Sequence, residues 1–490
     1  MSTNQDRFDV VVVGCGIAGL SAAVSAAQEG ARVAVLERAP IEERGGNTRY
    51  TEARLRMKSE SEVSDDFEML FMNNPAGHID PSLIDIASKP RANWPAILKS
   101  LSFADPDVIA AFSANVGPTV QWMKSCGARF DVNSINPAVT VAKAARRIGT
   151  HGGGLGLIEA LAPVAEKAGV AFFYETTALE LVQGDDGSVS GVKAVSKGGK
   201  PRVFSGSVVL GSGGFEGNPE MMTQYLGPLA AYLRPAARGG YYNKGEGIRM
   251  GLRIGAAPCG DYGSWHAEPI DPRSGISEPV IYAYPYGIIV NRQGHRFVDE
   301  AVGPTDATYC ETTRNIPRQP GGIAYIILDD KFNDVPGGRR GIRTDQPAIQ
   351  AGAIAELAAK LGIPAGTLAN TISRYNAACR PGTFKPLEMD GLATEGVEPP
   401  KSNWAITIER PPFMAYPIVS SVTFTHGGLK VNTDAQVLNV EGDAIEGLYA
   451  AGEVVGLYFQ VYVGATSVLK GAVFGRLAGL HAARNLRHES

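Results

Sequence analysis

The chain has 490 residues, which is too many for one hydrophobic core and predicts about two to three domains. With 44% hydrophobic and 20% charged residues, the composition is globular rather than disordered or fibrous. A formal net charge of −4 offers no basic field for a nucleic-acid backbone, so we predict no nucleic-acid partner. The five cysteines lie far apart without a C-x-x-C pair, which argues against a cysteine-ligated metal site and a secreted disulfide framework. A reducing cytoplasm is the default location.

The N-terminal stretch resembles neither a signal peptide nor a membrane span. Residues 1–9 are polar and lack the charged-then-apolar order of a leader. Residues 10–28 carry no charge, but glycines interrupt them in the middle. A strand, a turn and a small-residue helix explain this stretch better than one apolar helix, so we predict no membrane span.

A βαβ unit opens the chain. Residues 9–13 are an aspartate followed by four valines, a β-branched run typical of a buried parallel strand. A glycine turn follows at 14–19, then an alanine-rich helix over 20–29 and a second strand over 32–37. Farther on, a glycine loop at 152–156 is predicted to precede a helix over 157–168.

The glycine turn has the spacing of a dinucleotide-binding motif. Gly14 permits the tight turn, Gly16 lets the backbone approach a pyrophosphate, and Gly19 lets the helix pack closely on the strand. The pyrophosphate would lie at the helix N-terminus, where free N–H groups and the helix dipole favour an anion. Glu37 ends the second strand, where an acid accepts ribose hydroxyls. We therefore predict dinucleotide binding.

Other segments favour FAD over NAD. An RGGNT segment at 44–48 lies just beyond the second strand, a later strand ends in GSGG at 211–214, and AAGE occurs at 450–453. A nicotinamide domain is not expected to need a cofactor contact so far along the chain.

Nucleotide-binding motifs at both ends, with a middle region richer in Pro, Tyr and Arg, predict one discontinuous domain with an insertion. The predicted fold class is α/β, a Rossmann-like FAD-binding domain of the glutathione-reductase type with an inserted α+β capping domain. We place the FAD-binding domain in residues 1–260 and 423–490, and the capping, or substrate, domain in residues 261–422.

Five segments carry a more specific resemblance: 152–162 (GGGLGLIEALA), 374–379 (RYNAAC), 393–404 (ATEGVEPPKSNW), 423–431 (TFTHGGLKV) and 471–476 (GAVFGR). Over nearly its whole length the chain resembles the flavoprotein subunits of the fumarate reductase/succinate dehydrogenase superfamily. Within that group it is most similar to the FAD-dependent tricarballylate dehydrogenases.

The resemblance implies how FAD is held. The loop at 45–48 would wrap the pyrophosphate, Glu453 would bind the ribityl chain, and backbone amides near Ser467 and Val468 would face flavin O2. Relatives that attach FAD covalently use a histidine near the glycine loop, and because residues 38–77 contain none, we expect non-covalent FAD. The residues expected to contact FAD are Gly14, Gly16, Ile17, Ala18, Gly19, Glu37, Arg38, Gly45, Gly46, Asn47, Thr48, Gly153, Gly154, Ala178, Ser212, Gly213, Gly452, Glu453, Ser467 and Val468.

The resemblance also implies the chemistry, in which a hydride passes to flavin N5 and a base removes a proton next to a carboxylate. The family's proton-transfer arginine should follow the RFVDE segment at 296–300, but the nearest later arginine is Arg314. Tyr462 stands where the family has a substrate-clamping arginine. His266 matches a substrate-binding histidine, and His426 directly precedes the Gly-Gly pair.

The candidate catalytic residues are therefore His266, His426, Tyr462 and Arg314. Each has an alternative interpretation: a loop histidine, a turn cap, core packing and a surface arginine, respectively. Arg146 and Arg147 could also bind an acid, although a solvated pair is the default.

The leading functional prediction is a dehydrogenase that converts a small polycarboxylate to its alkene, as tricarballylate to cis-aconitate. A separate electron-acceptor protein or a quinone would reoxidise it, and any association with the inner membrane would come through that partner. The alternatives are a cyclic-ketone desaturase like the ketosteroid Δ1-dehydrogenases, a fumarate reductase-like enzyme and a flavin-bound accessory protein. A triacid pocket should hold several cations, because buried carboxylates must be paired. A ketone pocket should be apolar with two tyrosines.

Overall fold

The computed structural model describes residues 5–72, 86, 89–99, 104–131 and 147–485. The strands are β1 (Gln5–Val13), β2 (Val33–Leu36), β3 (Phe130–Asp131), β4 (Gly149–Thr150), β5 (Ala171–Phe173), β6 (Thr176–Gln183), β7 (Val189–Ser196), β8 (Arg202–Leu210), β9 (Arg234–Pro235), β10 (Pro258–Cys259), β11 (Trp265–His266), β12 (Pro269–Ile270), β13 (Ile288–Asn291), β14 (Ile323–Leu328), β15 (Ile349–Ala351), β16 (Phe413–Val422), β17 (Phe424–Thr425), β18 (Gly428–Leu429), β19 (Gln436–Leu438) and β20 (Ala444–Ala450). The helices are α1 (Ile17–Gln28), α2 (Phe67–Met72), α3 (Ala96–Lys99), α4 (Pro106–Ser125), α5 (Gly153–Lys167), α6 (Pro219–Leu226), α7 (Glu246–Arg253), α8 (Thr305–Arg314), α9 (Ile354–Leu361), α10 (Ala365–Ala378) and α11 (Ser467–Asn485).

The largest sheet joins both ends of the chain. Its strand order is β19-β20-β8-β1-β2-β5, and the β6–β7 hairpin pairs with β8 through β7. Strand β1 runs parallel to β2 and β8, and β20 runs parallel to β8. The valines of β1 from Val10 to Val12 are fully buried, as expected for a parallel strand covered on both faces. The α/β fold class is confirmed.

Helices α1 and α11 pack closely because their contact surface is made of small residues. A Cβ atom at Gly475 would lie 2.2 Å from the Ala18 carbonyl oxygen, and one at Gly479 would lie 2.2 Å from that of Ala22. Only glycine permits this approach. The C-terminal helix is thereby fixed beside the first helix, so that its N-terminus reaches the carboxyl ends of the strands.

A second sheet comes from the middle of the chain. Its order is β12-β16-β14-β13, with β15 and β9 also paired to β16. Strand β16 is buried along its whole length, and the chain continues from it into Thr423 and Phe424. This strand therefore delivers residues from the middle region to the edge of the first sheet. Strand β9 joins the second sheet although it precedes residue 260, and the proposed domain boundaries stay a prediction.

One local prediction is wrong. The glycine loop expected at 152–156 is the first turn of α5, which begins at Gly153 rather than at 157. Gly152 adopts a left-handed conformation as the N-cap, with φ of 76°, and the helix starts directly after it. Within the described ranges, no helix has the length and apolar character needed to cross a bilayer.

Candidate active site

A cleft lies at the carboxyl ends of β1, β2, β8 and β20. It holds about 1280 Å³ of atom-free space, including its open mouth. Most residues expected to contact FAD line it: Gly14, Gly16, Ile17, Ala18, Glu37, Arg38, Gly46, Asn47, Thr48, Ala178, Ser212, Gly213, Gly452, Glu453, Ser467 and Val468. Its size and position suit an extended dinucleotide.

Four predicted cofactor residues lie behind the cleft wall instead. Gly19 packs α1 on the strand below, since a Cβ there would lie 1.9 Å from the Gly14 carbonyl oxygen. Gly45 has φ of 118° and begins the turn at Gly46–Tyr50. Gly153 and Gly154 support that turn, and a Cβ at Gly154 would lie 1.7 Å from the Thr48 carbonyl oxygen. These glycines shape the wall rather than form it.

The turn between β1 and α1 is built to receive an anion. Gly14 has φ of 103°, and a Cβ there would lie 2.4 Å from the Gly211 carbonyl oxygen. Gly16, the N-cap of α1, makes no side-chain hydrogen bond, and the Ile17 N–H donates to Thr48 Oγ1 at 3.1 Å, so the helix N-terminus faces the cleft with one of its N–H groups already bonded. Ser212 Oγ lines the same cleft and is buried without a partner among the described residues. An orphaned hydroxyl beside a helix N-terminus fits a pyrophosphate.

Glu37 is already held by the backbone on both carboxylate oxygens. Oε2 accepts the Cys15 N–H at 2.8 Å, and Oε1 accepts the Ala39 N–H at 2.8 Å. Burial raises the pKa of this carboxyl, and the backbone hydrogen bonds oppose the rise. Each oxygen retains a lone pair for a hydroxyl donor. Its neighbour Arg38 forms an ion pair with Glu246 across the cleft wall.

Two neighbouring carboxyl groups differ in their exposure: Glu453 is half-buried and lines the cleft, and Glu216 is buried behind the cleft wall. Asn243 Nδ2 donates to Glu216 at 2.7 Å and to Glu453 at 3.4 Å. Asn47 Nδ2 also donates to Glu216, at 2.7 Å, and Glu453 accepts the Thr425 N–H at 2.7 Å. Burial and the neighbouring Glu453 raise the pKa of Glu216 well above its usual range. Sequence reasoning missed Glu216 and Asn243, which carry no motif signal of their own.

The far end of the cleft is aromatic. We call it the aromatic end and define it by Phe424, which lines the cleft, with His266 and Tyr462 packed behind it. The ring centroids are 4.9 Å apart for Phe424 and His266, 5.0 Å for Phe424 and Tyr462, and 4.2 Å for His266 and Tyr462. The structure brings these two predicted catalytic residues together. Sequence reasoning missed that Phe424 stands between them and the cleft.

His266 is buried and pairs with a tyrosine that the sequence did not single out. Its Nε2 lies 2.6 Å from the Tyr309 hydroxyl, while Nδ1 has no partner among the described residues. Burial, and secondarily the charge of Arg314, lowers the pKa of His266 well below its usual range. The ring is therefore neutral at pH 7 and is a weaker base than a free imidazole.

Tyr462 and Arg314 are engaged by backbone groups. The Tyr462 hydroxyl accepts the Thr466 and Ser467 N–H groups at 3.2 and 3.3 Å, so it caps the start of α11. The Ser467 amide expected to face flavin O2 is thus already bound to this hydroxyl. Arg314 donates to the carbonyls of Trp265 and Gln460 and pairs with Glu311. Arg314 fastens the His266 strand rather than opening into the cleft.

His426 lies deeper than predicted. It is fully buried, and neither ring nitrogen has a hydrogen-bond partner among the described residues. Burial lowers its pKa well below the usual range, with Arg314, His266 and Lys470 adding to the effect. It does not line the cleft, so the structure does not bring it to the reacting position expected from the sequence.

The arginines near the aromatic end are paired with acids. Arg147 binds Asp306 at 2.8 Å with both side chains 10% exposed, so it is not the solvated residue expected. Arg343 lies 2.7 Å from Glu52 and 3.0 Å from Glu278. Burial and the charge of Glu268 raise the pKa of Glu278 to about 8. Arg146 lies outside the described residues.

A second cation, besides Arg38, lines the cleft. Lys470 is 2% exposed and donates from Nζ to the Val455 carbonyl at 2.8 Å. Burial lowers its pKa to about 7. Sequence reasoning missed it, although a single lysine within the apolar run 468–474 was a visible signal.

Comparisons with known proteins agree with this geometry. A family model described as an FAD binding domain matches residues 9–469. NADH:acrylate oxidoreductase of Vibrio harveyi is 28% identical over 97% of this chain, which spans 50% of that protein. Vinyl phenol reductase of Lactiplantibacillus plantarum is 28% identical over 99% of this chain and 98% of that protein. The open conformation of a flavocytochrome c3 fumarate reductase superposes with a TM-score of 0.75 at 24% identity, covering 98% of this chain and 78% of that one.

Proposed function

We propose that this protein acts on the bond next to the carbonyl of a small ring compound. The chain belongs to the FAD-binding family, and its relatives are FAD-dependent oxidoreductases of the fumarate reductase type that act on CH–CH bonds. The reaction proposed is α,β-dehydrogenation of a cyclic ketone. The observation that carries the proposal is the aromatic end, where Phe424 covers His266 and Tyr462.

The aromatic end favours a flat apolar substrate over a polyanion. Phe424 offers an apolar ring face on which a cyclic ketone would bury its ring carbons, worth about 25 cal/mol per Å² of apolar surface removed from water. A tricarboxylate would need several unpaired cations, but Arg147 and Arg343 are bound to acids. Opening such buried pairs costs several kcal/mol. The vinyl phenol reductase relative shows by its name that ring compounds are used within this group.

The proton is handled by the His266–Tyr309 pair. When bound, FAD accepts the two electrons and one hydrogen of the oxidised carbon. The other hydrogen leaves as a proton. The Tyr309 hydroxyl oxygen takes up this proton and gives its own proton to neutral His266 Nε2, which lies 2.6 Å away. Tyr462 holds the loop against His266 through its bonds to the start of α11. His266 is buried, Tyr309 is half-buried and neither lines the cleft, so a substrate must reach this pair past Phe424.

Anaerobic mixing of the FAD-loaded protein with cyclohexanone, a 3-ketosteroid, succinate and tricarballylate tests the proposal. We expect loss of the flavin band at roughly 450 nm, a property of the cofactor, with a ring ketone only, together with one equivalent of enone. Bleaching by the acids alone would contradict it. Release of the yellow colour by acid precipitation would support non-covalent FAD, and rates of reoxidation by a quinone and by a cytochrome would identify the class of electron acceptor.

Tricarballylate oxidation is the second candidate. It is favoured by Arg147, whose Nε is buried without a hydrogen-bond partner among the described residues and whose guanidinium lies beside Gly464 in the Tyr462 loop. One carboxylate could bind there. If tricarballylate bleaches the flavin, an Arg147→Gln variant should lose this reaction and keep its FAD.

A further inference from the structure

The helix beside the aromatic end carries a cation that the proposed reaction does not use. Lys470 lies one turn into α11 and lines the cleft together with Ser467, Val468 and Gly471. Its side chain is buried, and a buried ammonium is costly unless its charge and N–H groups are paired.

The protein alone pairs this ammonium incompletely. Of its three N–H groups, one donates to the Val455 carbonyl, and Nζ lies 4.7 Å from the centroid of the Tyr458 ring. Glu453 attracts it electrostatically, but the carboxylate of Glu453 is already bound by Thr425 and Asn243. An acceptor that enters the cleft would complete the set.

A second buried lysine has the same kinds of partner but does not line the cleft. Lys401 is fully buried, donates to the Gly287 carbonyl and lies 5.8 Å from the centroid of the Tyr375 ring. Glu300 attracts it electrostatically, as Glu453 attracts Lys470. The two lysines share a carbonyl and a tyrosine face, and they differ in that Lys470 borders the cofactor site.

We propose that Lys470 binds the oxygen- and nitrogen-bearing edge of the flavin ring and stabilises the negative charge that reduction places there. This inference rests on FAD occupying the cleft with its ring towards α11, and not on the identity of the substrate. Two electrons and one proton convert the ring to its anionic reduced form, and Lys470 supplies the neighbouring positive charge. The electrons come from the reductant used in the measurement.

Reduction should also draw a proton onto Lys470 above about pH 7. The titratable groups that face the ammonium are Glu453, Cys259, Tyr458 and His426. Burial lowers the pKa of Lys470 to about 7, so the amine is largely neutral at pH 8 until an anion forms beside it. If reduction takes up one additional proton for every two electrons, the midpoint potential falls more steeply with rising pH, by about 30 mV more per pH unit.

The test is the midpoint potential of the FAD-loaded full chain, measured by slow reduction with xanthine and xanthine oxidase beside a reference dye. The variants are Lys470→Met, Lys470→Gln and, as the matched control, Lys401→Met. At pH 6.5 we expect the ratio of reduced to oxidised flavin at a fixed potential to fall about tenfold in both Lys470 variants, which is about 30 mV for two electrons. The Lys401 variant should match the wild type, and only the Lys470 variants should lose the steeper slope above pH 7.

Wild-type potentials in both Lys470 variants, or an equal shift in Lys401→Met, would overturn the inference. If the variants hold FAD weakly, the dissociation constants of oxidised and reduced FAD give the same quantity, and their ratio must change about tenfold. No substrate enters the measurement, so a failure of the ring-ketone proposal leaves this result intact.

Discussion

The two ends of the cleft are built in different ways. At the dinucleotide end, glycines and backbone amides form the wall, and a close approach of main chain to main chain at Gly14 sets the shape. At the aromatic end, side chains from β11, α8, β17 and the loop before α11 pack on one another around Phe424. Under the proposed function, the first end would hold the cofactor by backbone geometry, and the second end would select the substrate by side-chain packing. Substitutions at the dinucleotide end should therefore lower FAD affinity, and substitutions at the aromatic end should lower the rate of flavin reduction by substrate.

The largest effect should come from Gly14→Ala. The new Cβ would meet the Gly211 carbonyl oxygen at 2.4 Å in a backbone with φ of 103°, so the turn must move. We expect FAD affinity to fall at least about 100-fold, or about 2.7 kcal/mol, as measured by fluorescence titration. Gly127→Ala is the matched control, because Gly127 has φ of 99° and open space around it. Equal losses of FAD affinity in both variants would show that backbone strain, and not contact with the cofactor, causes the loss.

Phe424→Ala should separate the two ends. Removal of the ring leaves a cavity against His266 and Tyr462, which then lose their fixed positions. We expect flavin reduction by the ring substrate to slow by about 10²-fold, the scale of a roughly 1 Å misplacement, with FAD content unchanged. Stopped-flow absorbance gives the rate. Phe332→Leu, in the core of the second sheet, is the control and should change only the stability of the fold. Loss of FAD from Phe424→Ala would show that the two ends of the cleft do not act separately.

Tyr309→Phe should have a smaller effect within the aromatic end. It removes the hydroxyl that lies 2.6 Å from His266 Nε2 and leaves the ring in place. We expect the single-turnover rate of reduction to fall at least about tenfold while substrate affinity stays within about twofold, since the hydroxyl moves a proton rather than binding the ring. A change confined to affinity would assign Tyr309 to substrate binding.

The smallest effect concerns stability at low pH. Burial lowers the pKa of His426 well below its value in the unfolded chain, about 6.5. His426 is therefore protonated in the unfolded state at a pH where it stays neutral in the folded state, and the free energy of unfolding falls as pH drops below about 6.5. Because one proton is worth about 1.4 kcal/mol per pH unit, His426→Met should lose about 1 kcal/mol less than the wild type between pH 7.5 and pH 5.5. Urea unfolding at the two pH values measures this, with exposed His151→Gln as the control.

The dinucleotide end could be predicted from the sequence because its physics is local. A buried β-branched strand, a glycine turn and a helix are consecutive in the chain, so the positions of Gly14, Gly16 and Glu37 follow from their order. The start of α5 was missed because glycines usually break helices, whereas here Gly152 caps one.

The aromatic end could be predicted only in part. His266, Tyr462 and Phe424 are distant in sequence and meet through the pairing of β11 with β17. A sequence motif marks His426, but it does not show that burial removes this side chain from the cleft. The positions of the Tyr309 and Lys470 side chains depend on which faces of α8 and α11 are buried. The packing of these helices on the rest of the fold decides that.

The position of a bound ketone distinguishes binding against Phe424 from binding to Arg147. A crystal structure of the FAD-loaded protein with a non-reacting cyclic ketone should place the ring against Phe424 and its carbonyl side towards Tyr309, with the Arg147–Asp306 pair closed. A ligand bound through an opened Arg147–Asp306 pair, without contact to Phe424, would contradict the proposal that the aromatic end binds a ring ketone.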